Sequence, residues 1–248
     1  MSGPSSLSLT LRIWRQRQNE PTGRFRDHLL TNLSPDLSLL EVLDRLNQQL
    51  LLEGERPVHF DHDCREGICG SCGFMINGQA HGPRRGTTVC QLYLRDFSDG
   101  QVLTLEPWRA RAFPLIQDLA VDRSSLDRLL MAGGYVSVNI GSAPEANALP
   151  VGLDVAAQAF EAASCIGCGA CVAACPNASA SLFVAAKLAH LELLPQGQPE
   201  APRRSSRMRQ RMETEGFGAC GNQLECSAAC PKEIPSSLIS RMNRQASD

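Results

Sequence analysis

The fold of the first half of the chain turns on one stretch, Asp63-Cys64-Arg65-Glu66-Gly67-Ile68-Cys69-Gly70-Ser71-Cys72. Three cysteines stand there as C-x4-C-x2-C, and a fourth, Cys90, follows after 17 intervening residues. This is the spacing of a loop that holds a [2Fe–2S] cluster. Two irons and two sulfides need four thiolates converging from a tight turn, with backbone N–H groups aimed at the sulfurs. Gly67, Gly70 and Gly73 let the main chain approach closely and take positive φ where the turn needs it. Zinc is the alternative reading, but zinc sites usually pair two C-x2-C units, and this stretch does not.

The remaining cysteines lie in two further groups. Cys165, Cys168, Cys171, Cys175 and Pro176 form the run C-x2-C-x2-C-x3-C-P, whose fourth cysteine serves the other cluster in two-cluster ferredoxins. A helix begun at the third cysteine turns the fourth away from the first three, so a reciprocal run is expected. Cys220, Gln223, Cys226, Cys230 and Pro231 supply it, with Gln223 where the second cysteine would stand. Cys165, Cys168, Cys171 and Cys230 then make a four-thiolate site suited to [4Fe–4S]. Cys175, Cys220 and Cys226 make a three-thiolate site, for which [3Fe–4S] is the natural occupant; a fourth iron held by Gln223 or water is the alternative. Sites of four, four and three ligands use all 11 cysteines. Three clusters in one chain make a wire.

Composition agrees with metal rather than disulfides. The chain has 248 residues, 24 basic against 26 acidic, and a net charge of -2, which excludes the basic footprint of a nucleic-acid binder. No apolar run approaches the ~18–20 residues of a membrane span, and Met1 to Thr10 lacks the layout of a secretory signal. The chain therefore reads as cytoplasmic, where stable disulfides are uncommon. No cysteine falls between positions 91 and 164, which suggests a domain boundary in that gap.

Periodicity predicts a mixed α/β first part. Leu7, Leu9, Leu11 and Ile13 alternate as in a half-buried strand, and a second strand runs through Phe25 toward Leu30. Ser38-Leu39-Leu40-Glu41 matches a capping box ahead of Leu43, Leu46 and Leu50 at helical spacing. Further strands are expected at Val58–Phe60, Phe74–Ile76 (ended by Asn77-Gly78) and Val102–Leu105. The second part reads as helical at Val155–Ala163, Ala178–Leu193, Ser205–Glu215 and Pro235–Asn243, with Leu126, Leu129, Leu130 and Met131 as core. Gly133–Pro150 and Pro195–Arg204 read as loops.

With these groups in place, the sequence resembles the iron–sulfur subunit of the succinate dehydrogenase/fumarate reductase (respiratory complex II) family, actinobacterial members included. The resemblance rests on the Asp63–Cys72 stretch, on Cys165-Ile166-Gly167-Cys168-Gly169-Ala170-Cys171, and on Cys226 to Pro231 followed by Lys232. The Gly216–Cys220 approach and the Leu194–Glu200 loop are similar to the actinobacterial branch. It implies an α+β fold: a β-grasp [2Fe–2S] ferredoxin domain over 1–120 and an all-α helical ferredoxin domain over 121–248. It also implies an FAD-containing flavoprotein partner, where succinate and fumarate interconvert, and a membrane anchor that binds quinone. This chain would be the peripheral, non-catalytic relay between them on the cytoplasmic face of the plasma membrane, a part of the tricarboxylic acid cycle. Many members carry tryptophan after the middle Cys-Pro and histidine after the first cysteine of the last run, both serving a quinone pocket. Here Asn177-Ala178-Ser179-Ala180 and Gly221 stand instead, so quinone, menaquinone by that branch, is expected mainly in the anchor, reached through haem.

Other charged residues carry weaker readings. His28, His59, His62, His81 and His190 read as non-ligands. Arg65 either orients the cluster loop, docks the flavoprotein or makes a local ion pair. Arg203, Arg204, Arg207, Arg209 and Arg211 read as a solvated helix face, with anionic lipid as the alternative partner. The rival functions are a quinol:fumarate reductase subunit running in reverse, a free polyferredoxin, and a zinc-structured module.

Overall fold

The computed structural model describes residues 6–137, 141 and 146–244. Strand β1 (Leu7–Arg15) buries Leu7, Leu9, Leu11 and Ile13 on one face, as the alternation predicts. Strand β2 (Arg24–Leu33) pairs with it antiparallel at the exposed sheet edge. Helix α1 (Leu39–Leu52) starts at the predicted capping box: the Glu41 N–H donates to the Ser38 hydroxyl, and the Ser38 N–H donates to the Glu41 carboxylate. Its Leu39, Leu40, Leu43, Leu46 and Leu50 are buried. Strands β3 (Met75–Ile76) and β4 (Gln79–Ala80) flank Asn77-Gly78, whose φ angles of 50° and 76° suit a tight hairpin turn. Strand β5 (Val102–Glu106) runs parallel to β1 and antiparallel to β3, giving the order β2-β1-β5-β3-β4. One helix is thus held against a small mixed sheet.

The expected strand at Val58–Phe60 is not one. Residues there are extended but unladdered, because other groups take their hydrogen bonds. The Asn47 side chain bonds both the N–H (2.7 Å) and the carbonyl (2.9 Å) of Val58. The His59 N–H donates to the buried carboxylate of Asp118 at 3.0 Å. Asp118 also accepts from the Gln16 N–H and pairs with Arg15 and Arg56, tying three separated segments together.

A short hairpin, β6 (Leu115–Gln117) and β7 (Ala120–Val121), follows. Beyond it the described elements are helices: α2 (Ser124–Gly133), α3 (Leu153–Ala163), α4 (Ala170–Ala174), α5 (Ser181–Glu192), α6 (Ala201–Thr214), α7 (Glu225–Ala228) and α8 (Ser237–Arg244). Helix α5 is apolar around most of its circumference and sits in the middle, against α3, α6 and α8. Leu126 and Leu129 of α2 are core as expected, but Met131 is 74% exposed, because its position on the helix faces away from the packed stripe. Part of the expected loop Gly133–Pro150 falls on 138–140 and 142–145, outside the described residues.

The loop expected over Pro195–Arg204 is a 3-10 turn (Pro195–Glu200) running directly into α6. Pro202 stands in the first turn of α6, where a missing N–H costs no helical bond. Arg204 is 2% exposed rather than solvated: its guanidinium donates to the carbonyls of Gly133 (3.0 Å), Gly197 (2.7 Å) and Tyr135 (3.1 Å). Arg209 and Arg211 also bond internally, to Met242 and Glu215, so the basic run is mostly a set of staples.

Two cores result. One lies between α1 and the sheet and includes Cys72 and Cys90. The other surrounds α5, includes Cys168, and takes in Trp108, Phe113 and Val121 from the preceding segment.

Candidate metal centres

All eleven cysteines are free thiols, and the fold gathers them in three places. The first is the loop between the Val58–Phe60 segment and β3, closed by the 3-10 turn Val89–Gln91 that carries Cys90. Main-chain donors point at its sulfurs: Glu66 N–H to Cys64 Sγ at 3.3 Å and Ser71 N–H to Cys69 Sγ at 3.4 Å. Thr88 Oγ1 shares a hydrogen bond with Cys90 Sγ at 3.2 Å. Gly67 and Gly70 have φ of 72° and 75°, and Arg65 stands at 55°. Arg65 is held in that conformation by its ion pair with Asp44 (2.7 Å) and by Gln91 Nε2 donating to its carbonyl (2.7 Å). Of the roles open to Arg65, the local ion pair is therefore the one observed.

These contacts favour the thiolate at two of the four sulfurs, Cys64 and Cys90. The Glu66 and Ile68 N–H groups pull the Cys64 thiol down to about 7. Cys72 donates to Cys90 and, with Thr88, holds Cys90 at about 5, while that donation and burial push Cys72 up. Four cysteines around one loop, with N–H donors aimed at Cys64 and Cys69 and the thiolate favoured at Cys64 and Cys90, fit a [2Fe–2S] group.

The second place is a cavity walled by Cys165, Cys168, Cys171 and Cys230 together with Leu182 and Phe183. Gly167 and Gly169, at φ of 63° and 85°, bend the chain on either side of Cys168, and α4 begins directly after. Burial raises the thiols of Cys165, Cys168 (to about 12) and Cys171. Three sulfurs in an apolar pocket are poor free thiolates, but a bound cation deprotonates a coordinating thiol outright. The N–H groups of Gly167 and Ala170 face Cys165 and Cys168 and oppose the rise.

The third place is a cavity walled by Cys175, Cys220 and Cys226, with Gln223 in the wall where a fourth thiolate would stand. Burial raises Cys226, the Ser227 N–H opposes that rise, and the charges of Cys175 and Cys220 add to it. Leu182 lines both this cavity and the second, so the two share a wall. Cys175 leaves the end of α4 in an extended conformation, away from Cys165, Cys168 and Cys171.

The first and second places also touch. A Cβ on Gly70 would lie 2.3 Å from the Ile166 carbonyl oxygen and 3.1 Å from the Cys168 nitrogen. Trp108 Nε1 donates to the Cys168 carbonyl at 3.0 Å. Thr88, Gln91 and Trp108 are supporting residues that cysteine spacing alone does not reveal: Thr88 reaches the Cys90 sulfur from two residues away, and Gln91 and Trp108 act on main chain 26 and 60 residues away. None of the five histidines lines either of the two helical cavities.

Comparison with known proteins agrees with this division. Residues 10–128 match the family of 2Fe-2S iron-sulfur cluster binding domains, and residues 161–234 match the 4Fe-4S dicluster domain family. The chain is 31% identical over 222 residues to the succinate dehydrogenase iron-sulfur subunit of Bacillus subtilis (strain 168), covering 85% of this chain and 81% of that one. It is 28% identical over 233 residues to the fumarate reductase iron-sulfur subunit of Wolinella succinogenes, covering 92% of both. It is 34% identical over 193 residues to the fumarate reductase iron-sulfur subunit of Mycobacterium tuberculosis, covering 73% and 71%. In fold it matches a chain of the Mycobacterium smegmatis Sdh1 complex in the apo form, at a TM-score of 0.66 and 19% identity over 98% of this chain and 97% of that one.

Proposed function

Because the chain belongs to the family of succinate dehydrogenase/fumarate reductase iron–sulfur subunits, we propose that it is the relay of a succinate:quinone oxidoreductase. Its cluster ligands in this reading are Cys64, Cys69, Cys72 and Cys90 for [2Fe–2S]; Cys165, Cys168, Cys171 and Cys230 for [4Fe–4S]; and Cys175, Cys220 and Cys226 for [3Fe–4S]. The observation that carries it is the sequence of contacts between the three places. Gly70 lies against Ile166 between the first two, and Leu182 lines both of the last two. Bound clusters would supply one-electron carriers. The chain's own residues hold the sulfurs, aim N–H groups at them and keep neighbouring sites in contact; none acts as acid, base or nucleophile.

The division proposed is a β-grasp domain over 1–120 and an all-α helical ferredoxin domain over 121–248. The partners are a flavoprotein carrying FAD, from which electrons enter, and a membrane anchor, where quinone takes them. No helix among the described residues is long and apolar enough to cross a membrane, which suits a peripheral subunit at the cytoplasmic face. Quinone is placed mainly in the anchor, menaquinone reached through haem. Two contacts support this: a Cβ on Gly218 would meet the Asn177 carbonyl oxygen at 1.8 Å, and Asn177 Nδ2 donates to the Ala219 carbonyl at 3.0 Å. These contacts tie Asn177, which follows Cys175-Pro176, to the Gly218–Ala219 main chain. The fumarate reductase relatives, at 28% and 34% identity, support a second reading in which the same relay runs from quinol to fumarate.

The test is reduction by substrate. In the native complex, succinate should reduce the clusters, removing the oxidised-state EPR signal and bringing up reduced-state ones, and added quinone should reverse this. Signals that respond to dithionite but to neither succinate nor fumarate would sink both directions of the reading.

A further inference from the structure

One arginine enters the seam between the first and second cysteine loops. Arg123 stands immediately before α2 and is half-buried. Its Nη1 donates to the carbonyls of Gly70 (2.6 Å), Cys168 (3.2 Å) and Gly167 (3.4 Å). Gly70 lies between Cys69 and Cys72 of the first site, and Cys168 belongs to the second. A single nitrogen therefore touches the main chain of both sites, at the point where Gly70 rests on Ile166.

The charge of this guanidinium is directed at the sites themselves. Arg65, closer in sequence to the first loop, is matched by the Asp44 carboxylate at 2.7 Å, whereas Arg123 meets carbonyl oxygens. Reduction adds an electron to a cluster, so a fixed positive charge beside it stabilises the reduced form and raises its potential.

We infer that Arg123 is the positioning residue of the first junction in the relay, and that its charge raises the reduction potentials of both clusters it lies between. The inference rests on the relay reading above, and it adds a residue that no cysteine pattern marks.

The experiment is an EPR-monitored redox titration of the native complex carrying Arg123→Lys, Arg123→Gln or Arg123→Met, with the cluster on Cys175, Cys220 and Cys226 as internal reference. The neutral variants should move the first two midpoints to more negative values and leave the reference in place. Arg123→Lys should stay near the unmodified chain. Unchanged midpoints in Gln and Met, an equal shift at the reference, or a Lys variant that shifts as far as Gln would each overturn the inference. If both neutral variants lose clusters while Lys loads fully, Arg123 serves assembly alone and the inference also fails. Failure of the relay reading itself shows separately, as an unmodified complex whose clusters answer to dithionite but to neither succinate nor fumarate.

Discussion

Replacing Gly70 by alanine tests the contact between the first two sites quantitatively. The substitution has two costs. At φ of 75°, a side chain in the left-handed region costs about 1–2 kcal/mol. The new Cβ would also sit 2.3 Å from the Ile166 carbonyl oxygen, 3.1 Å from Cys168 N and 3.2 Å from Cys168 Cα. All three are main-chain atoms of the neighbouring loop, so no flexible side chain can yield. To open the shortest contact merely to 3.0 Å the loops must part by about 0.7 Å. Overpacking of this kind costs about 1–3 kcal/mol. Gly100 supplies the control, since its φ is 74° and nothing lies within 4 Å of its Cβ position. Gly100→Ala should show the backbone cost alone. Thermal unfolding of the two variant complexes at one scan rate is the assay. At about 2–4 °C per kcal/mol for a chain of this size, Gly70→Ala should melt about 2–12 °C below Gly100→Ala. Its first two clusters should also show weaker magnetic coupling by EPR. Equal melting of the two variants would mean that the loops are not in contact and that the junction is drawn wrongly.

Four further expectations follow from other contacts. Ser38→Ala removes the N-cap of α1 and should cost about 1 kcal/mol in denaturant unfolding, with cluster content unchanged. Arg204→Met strips three buried carbonyls of their donor and leaves Glu200 less compensated, so a loss of about 3–5 kcal/mol is expected, against less than about 0.5 kcal/mol for the exposed Arg207→Ala. Glu215 is held below its ordinary value of 4.5, first by its hydrogen bond from Arg128 and then by Arg211. A depressed carboxylate stabilises fully above its unfolded value and loses that contribution as pH falls through its folded value. The melting gap between the unmodified chain and Glu215→Gln should therefore be widest near neutrality and narrow below about pH 4.5. Gln223→Cys supplies the missing thiolate of the third site and should raise iron by about one per chain, abolishing any three-iron signal.

Much of this architecture can be read locally. The alternation Leu7, Leu9, Leu11, Ile13 and the Ser38–Glu41 cap are each written within a few residues, and both appear where expected. The cysteine runs are local too, and the turn after the third cysteine of the middle run leads one to expect Cys230 beside that run, whose cavity it lines. What escaped was decided by distant partners. Val58–Phe60 has strand composition, but Asn47 and Asp118 take its hydrogen bonds. Pro195–Arg204 has loop composition, but Pro202 fits a helix's first turn, and Arg204 is drawn inward by carbonyls of Gly133, Tyr135 and Gly197. Arg123 and Trp108 act on the Cys168 carbonyl from 45 and 60 residues away, and no local pattern announces that. The exposed Met131 shows the opposite failure, a helical spacing that places the residue on the wrong face.

The most direct measurement is EPR with iron and sulfide analysis on the natively purified complex, first oxidised and then reduced with dithionite. A three-thiolate site at Cys175, Cys220 and Cys226 predicts a paramagnetic signal in the oxidised state and about nine irons per chain, with two further signals appearing on reduction. About ten irons and no oxidised-state signal would contradict it, placing a fourth iron at the Gln223 corner and removing the three-iron terminus from the relay.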